Sequence, residues 1–368
     1  MFDRRQSIVG LAASLALSAF FAAGCATQGE DATPDKGFAT TSEIKNGFGA
    51  AGSTFVAPIM NNWISSYKQA QPGTLISYRP SGSAAGLAEL RQGSLSLAAS
   101  DAPLSDDQIS QMFPVIQVPV TAGSVCAIYN VSGVTSPLRF SGSTLAGIFS
   151  GNIISWQDPA IERDNPGVKL PRAAIIVVHR TEGSGTTNIF TGYLSKVSAE
   201  WAKGPGQGLT VAWPVGIGGE GSKGVIEFIK KNPGTIGYAE LNYAKENKLP
   251  VALIQNRSGN YVAPSPASTT AAIEAFGDAL AKDVRTPIVD PPALAKEAYP
   301  IAGLSFLIVP KDGADADSRQ AIKSFIQYAV TTGQDSAESL DYAKLPKALQ
   351  QQDLSLLGGI IITAQNTK

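Results

Sequence analysis

A single histidine, His179, and only two cysteines, Cys25 and Cys126, stand in a chain of 368 residues. That scarcity argues against a multi-histidine metal centre and leaves any Ser-His-Asp relay resting on one imidazole. No Gly-Lys-Ser/Thr follows a glycine-rich stretch, so the phosphate loop of nucleotide hydrolases is missing. The Gly-x-Ser-x-Gly elbow of α/β hydrolases is missing too. Charge is sparse and balanced, with 16% charged residues and a formal net charge of −1, which leaves no electrostatic footprint for nucleic acid. What remains is ordinary globular composition, 43% hydrophobic, in a chain long enough for two domains. The 37 glycines and 23 prolines imply many tight turns.

Residues 1–25 read as a targeting segment. Arg4 and Arg5 precede an apolar run from Ile8 to Ala23, short for a membrane span, and Ala22-Ala23-Gly24-Cys25 forms a small-residue cleavage site. The site resembles the bacterial lipoprotein signal, in which the cysteine is lipidated, although Ala22 stands where such signals usually carry leucine. A plain secretory signal with an incidental Cys25 is the alternative. The paired arginines also raise twin-arginine export, but the rest of that motif matches poorly and the general route is favoured. Removing this segment leaves 27 basic and 29 acidic residues. It also leaves Cys126 alone, without a partner for an internal disulfide and set in the apolar run Gly123–Tyr129 as a buried core residue. Residues 26–47 are polar and turn-rich, and read as a flexible tether.

From Phe48 onward, short apolar runs alternate with helical spacing, the pattern of α/β architecture. The runs predict strands at 95–99, 125–129, 175–178, 235–238 and 305–309, and the spacing predicts helices at 144–149, 223–230, 269–282 and 319–332. In the last helix Ile322, Phe325, Ile326 and Ala329 share one face, with Ser318 as its cap and Gly333 as its stop.

Three turns carry the functional signal. Arg180–Thr186 (Arg-Thr-Glu-Gly-Ser-Gly-Thr) follows the apolar run Ala173–Val178 and leads into Ile189/Tyr193 and Phe190/Leu194 at i, i+4 spacing. Ala51–Phe55 leads into Pro58, placed as a first helical residue, and then into Ile59, Trp63 and Tyr67. Ser81-Gly82-Ser83 follows the extended Leu75–Tyr78 and precedes Leu87 and Leu90. A strand that runs through a Gly/Ser/Thr turn into a helix offers free backbone N–H groups and the positive end of the helix dipole. Arg180 adds a planar fork of donors matched to an oxyanion. One such turn is an ordinary helix cap. Three of them point to a shared anion site, provided they meet in space.

In this order, and with the N-terminal signal, the loops resemble the phosphate-binding proteins of bacterial phosphate ABC transporters, from about Gly49 to Leu345. The matching stretches are Gly49–Phe55, Ala99–Leu104, Arg180–Thr186, Gly218–Gly224, Pro233–Tyr238 and Leu340–Leu345. The resemblance implies an α/β fold of the two-lobe periplasmic-binding-protein type, with two crossover hinge strands and the ligand in the interlobe cleft. Lobe I would combine 48–130 with 299–368, and lobe II would be 131–298. Thr54 and Phe55 would contact phosphate through hydroxyl and backbone N–H, joined from the same lobe by Ser83 and Asp101. Arg180, Ser184, Gly185 and Thr186 would contact it from the other lobe. Glu182 stands where the family often has aspartate and would steady the arginine. The second loop reads Ser83-Ala84-Ala85-Gly86, where many members have a second serine and an added glycine. Also implied are the absence of a cofactor, a metal or catalysis, and a monomer that serves permease subunits of a phosphate ABC transporter. Its place would be the periplasmic or cell-surface face of a membrane, anchored through lipidated Cys25.

Asp101 gives the expected site its physical logic. A carboxylate facing a bound anion is repulsive unless the anion has a proton to donate, and near neutral pH phosphate has one while sulfate does not. Residue by residue, Asp101-Ala102-Pro103 also reads as a turn or helix cap. His179 reads as a structural histidine, and Trp156, Trp201 and Trp213 as core or cleft-wall residues. Gly218–Gly224 reads as a surface turn outside the site. Two rival functions remain: a receptor for sulfate, molybdate or another oxyanion, against which Asp101 argues, and a phosphoesterase, which needs a metal or a nucleophile with a base.

Overall fold

The computed structural model describes residues 47–313 and 315–362. The expected signal at 1–25, Cys25, and the tether as far as residue 46 lie outside the described residues. Gly47, expected as the last tether residue, instead opens the first strand and is buried.

The strands are β1 (Gly47–Gly52), β2 (Leu75–Arg79), β3 (Leu97–Ser100), β4 (Val115–Asn130), β5 (Arg139–Phe140) and β6 (Ile176–Arg180), followed by β7 (Ile217–Gly219), β8 (Thr235–Glu240), β9 (Leu253–Gln255), β10 (Tyr261–Val262) and β11 (Ala302–Pro310). Eight of them form one mixed sheet in the order β2-β1-β3-β11-β4-β8-β6-β7, and β10-β9-β5 form a smaller one. β1 runs parallel to β2 and β3, and β6 runs parallel to β7 and β8. Between these parallel triplets lie β11 and β4, antiparallel to each other and to their outer neighbours.

β4 joins the two halves. Its first part, Val115–Ser124, pairs with β11, and its second, Val125–Asn130, pairs with β8. Apart from the last residue it is buried throughout, as suits a strand covered on both faces. Pro119 cannot donate to a ladder, and it sits where the register with β11 shifts between Ser305 and Phe306. The strand expected at 125–129 is therefore only the second half of a longer one, because the proline reads in sequence as a break.

The expected helices form with shifted ends, and in the last of them Ile322, Phe325, Ile326 and Ala329 are buried as expected. Those expected at 144–149 and 223–230 run Gly142–Phe149 and Gly221–Lys231. The one expected at 269–282 breaks at Phe276 into Pro266–Ala275 and Gly277–Lys282. The one expected at 319–332 runs Ala316–Val330 and is capped by Asp315, whose carboxylate accepts from the backbone N–H of Ser318 at 2.9 Å. Ser318 is thus inside the first turn, not the cap. Gly333 lies beyond the helix end, and its carbonyl accepts from Trp63 Nε1 at 2.8 Å. Cys126 is a fully buried free thiol, and Trp156 and Trp201 are fully buried. His179 stacks on Trp213 with ring centroids 4.9 Å apart, a structural role.

Candidate functional site

The parallel strands β1, β2, β3, β6 and β7 lead at their C-terminal ends into turns, β8 runs directly into a helix, and the three signal turns meet at that edge, where open α/β sheets place their ligands. At the end of β1, Gly52 has φ of 136°, and a Cβ there would meet the Ala99 carbonyl at 2.0 Å. Only glycine fits, and the turn is thereby drawn onto β3. Ser53 N–H donates to that same carbonyl at 2.9 Å. Thr54 and Phe55 follow, both buried, before helix Ala57–Ala70, in which Pro58 is the second residue rather than the first. No side chain caps this helix, so its first N–H groups have no such acceptor. The Phe55 carbonyl accepts from Tyr342 OH, and the Thr54 carbonyl from Tyr243 OH at 3.1 Å, which pins the turn.

The second turn has Gly82 at φ 93° as the N-cap of helix Ser83–Arg91, again without a side-chain cap. Ser83 Oγ accepts from Asp101 N–H at 3.4 Å and from Gly185 N–H at 3.2 Å, so one hydroxyl joins the end of β3 to the third turn. Gly185 packs so closely that a Cβ on it would lie 2.5 Å from Asp101 Oδ2.

The third turn is built on Arg180, 3% exposed at the end of β6. Its Nε donates to Glu182 Oε1 at 2.7 Å, and Nη2 donates to the same oxygen. Nη1 donates to Ser222 Oγ at 3.2 Å and Thr186 Oγ1 at 3.4 Å. The expected fork is thus half committed: one edge is held by Glu182, and Nη1 is the part that reaches the hydroxyls. Glu182 Oε2 also accepts from Gly221 N–H at 3.1 Å, so the longer carboxylate steadies the arginine and a neighbouring loop together. Ser184 caps helix Gly185–Val197, accepting from Thr187 N–H at 3.2 Å.

The glycine-rich loop expected outside the site belongs to it. Gly221 turns at φ 63° and opens helix Gly221–Lys231, and Ser222 is 1% exposed between Arg180, Thr54 and Glu240. Glycine content suggested a surface turn, but these glycines serve close packing: a Cβ on Gly219 would meet Val225 N at 2.8 Å. Glu240, Ser53 and Ser305 are the other polar groups that the sequence reading missed. Glu240 lies two residues beyond the family-like stretch Pro233–Tyr238, which was the available signal.

Two carboxylates here depart from ordinary behaviour. Asp101 is 3% exposed, and burial pushes its pKa up to about 7. Hydrogen bonds from Ser53 Oγ to Oδ2 at 2.6 Å and from Ser305 Oγ to Oδ1 at 2.7 Å restrain that rise. For Glu182, burial favours the neutral acid, but the Arg180 guanidinium outweighs it and holds the carboxyl below its usual range. The arrangement offers one buried cation, hydroxyls, uncapped helix starts and a carboxyl that can hold or release a proton near neutrality.

Comparison with known proteins gives the family of the chain. A family model described as "PBP superfamily domain" matches residues 29–332. The phosphate-binding protein PstS of Xylella fastidiosa (strain 9a5c) is 37% identical over 330 residues, which is 89% of each chain. PstS of Pasteurella multocida (strain Pm70) is 37% identical over 316 residues, 86% of this chain and 90% of the relative. Among solved structures, a high-affinity periplasmic phosphate-binding protein bound with phosphate shares the fold, with a TM-score of 0.68 at 24% identity over 87% of this chain and 96% of that one. With likeness over nearly all its length and a mixed α/β sheet of the same kind, the chain belongs to the PstS family of phosphate-binding proteins within the PBP superfamily.

Proposed function

We propose that this protein is an extracytoplasmic receptor that binds inorganic phosphate and delivers it to the permease of an ABC transporter. The observation that carries the reading is the meeting of Arg180, the hydroxyls of Thr54, Ser83 and Thr186, and the helix starts after Gly52, Gly82 and Ser184 around buried Asp101. Thr54, Phe55, Ser83 and Asp101 serve from lobe I (48–130 with 299–368), and Arg180, Ser184, Gly185 and Thr186 from lobe II (131–298), with Glu182 holding the arginine. Asp101 reads the proton on the ligand, and no catalytic step is assigned to any of these groups.

Calorimetry on protein stripped of phosphate and treated with chelator tests the reading. Binding is expected at micromolar Kd or tighter, about −8 kcal/mol or better. Recovery of binding only on adding a metal would overturn the dipole-and-arginine account. Turnover of a chromogenic phosphate ester, with or without divalent metals, would favour the phosphoesterase instead. The proposed anchor is read by mass: the exported protein should begin at Cys25 and carry acyl chains, and an unmodified N-terminus elsewhere removes the anchor from the proposal.

A further inference from the structure

At the opposite end of β3 from Asp101 lies a cavity of about 280 Å³, bounded by the approach to β3, the end of β11 and helix Ala316–Val330. Its lining is mainly apolar, with Leu95, Val309 and Ile322 buried and Phe113 half-buried. Set in this lining is Arg319, in the first turn of the helix and only 2% exposed. Its Nε donates to the Ile361 carbonyl and its Nη2 to the Lys311 carbonyl, both neutral acceptors. Among the described residues Nη1 has no acceptor, and no carboxylate pairs with the guanidinium. Burial lowers the pKa of Arg319, and Asp312, exposed at the mouth, opposes this through space alone. The Asp312 carboxylate is turned to its neighbour instead, accepting from Gly313 N–H at 2.8 Å.

An arginine stays charged in any protein environment, and a buried charge is ordinarily paired. Here the pair is incomplete, and the free nitrogen belongs to a residue that lines an apolar cavity. Such a lining with one oriented charge is the make-up of a small-molecule site. We propose that this cavity is a second ligand site, for a monocarboxylate with a short apolar chain: the chain lies along Leu95, Phe113, Val309 and Ile322, and the carboxylate accepts from Arg319 Nη1. Apolar burial supplies affinity, and the guanidinium selects the head group. The volume falls at the lower end of the roughly 300–1,000 Å³ of ligand pockets, too small for a two-chain lipid. One free nitrogen and one uncompensated charge suit a singly charged head better than a doubly charged phosphate ester. No group of the proposed phosphate site takes part, so neither reading depends on the other.

The test is calorimetric titration of octanoate, with octanol and acetate as controls, into protein held in saturating phosphate. Octanoate should bind at one site per chain with a Kd below about 1 mM, and both controls should bind at least about tenfold more weakly. The first control lacks the charge and the second the chain. Arg319→Met keeps the apolar stem and removes the charge, so octanoate should fall to the level of octanol while octanol itself is unmoved. Octanoate that binds no better than octanol to wild type, or equally well to Arg319→Met, overturns the inference. If Arg319→Met does not fold, Asp312→Asn decides. Removing the exposed negative charge at the mouth should tighten octanoate by about threefold and leave octanol unchanged. No change, or the same change for both ligands, overturns the inference.

Discussion

Asp101 is balanced between two opposing forces. Burial favours the neutral acid, while hydroxyl donors from Ser53 and Ser305 favour the carboxylate, and the outcome is a pKa of about 7. Between about pH 4 and 7 the folded chain therefore holds a proton that the unfolded chain has lost. The contribution of this group to stability falls as pH rises through that window and stays lowered above it. In the proposed site the same balance would set selectivity. If Asp101 faces the ligand as proposed, above pH 7 its carboxylate repels sulfate and accepts the proton of phosphate, whereas below it the protonated acid can donate to either anion. With sulfate binding tied to the protonated fraction, sulfate affinity should rise by about tenfold from pH 8 to pH 6. Asp101→Asn should show little of this pH dependence and discriminate less at pH 8. Competition titrations at the two pH values check it, and a flat wild-type profile would leave Asp101 as a turn residue.

At the scale of elements, the strand–turn–helix units explain both what the sequence revealed and what it hid. The turns at 51–55, 81–83 and 180–186 were legible because glycine, hydroxyl residues and one arginine sit between an apolar run and a helical pattern. Their meeting was not legible, since it depends on β11 inserting between β3 and β4 from about 200 residues away. β4 was half hidden by Pro119, and Ser222 by glycines whose role is packing rather than exposure. Gly185 makes the same point as a testable case. As the first residue of helix Gly185–Val197 it could become alanine with a gain in helix propensity of up to about 1 kcal/mol. The new Cβ would, however, press on Asp101 at 2.5 Å from Oδ2 and 2.7 Å from its backbone N. Gly185→Ala should therefore keep or raise the melting temperature without phosphate, yet weaken phosphate binding by about 1–3 kcal/mol, the usual cost of overpacking. Wild-type affinity in this variant would mean that Gly185 and Asp101 need not approach for binding.

For the whole molecule, the proposed lobes meet at the site through polar links. Gly185 N–H donates to Ser83 Oγ, Ala84 N–H to the Gly183 carbonyl at 3.1 Å, and Tyr243 OH to the Thr54 carbonyl, while Thr54 and Ser222 pair by their hydroxyls. Water can replace each of these when the lobes part, so each favours closure by only about 0.5–1.5 kcal/mol. On the proposed division the chain would cross along β4, where pairing passes from β11 to β8 between Ser124 and Val125, ahead of the proposed boundary at 130, and again beside it, where Val125 N–H donates to the Ile301 carbonyl at 2.8 Å. Helix Pro266–Ala275 leans on the lobe I core, since Ala272 and Ile273 pack in one cluster with Leu90 and Leu104. That helix should travel with lobe I, leaving the site edge of lobe II free to swing. A phosphate held by Thr54, Ser83 and Asp101 on one side and by Arg180 and Thr186 on the other binds only when both sides are close, so it selects the closed population. Solution scattering should show a smaller radius of gyration at saturating phosphate, and Arg180→Ala should need far more phosphate for the same change. A radius that stays constant at saturation would mean that the two sides are already held together, and that affinity comes from a rigid site rather than from closure.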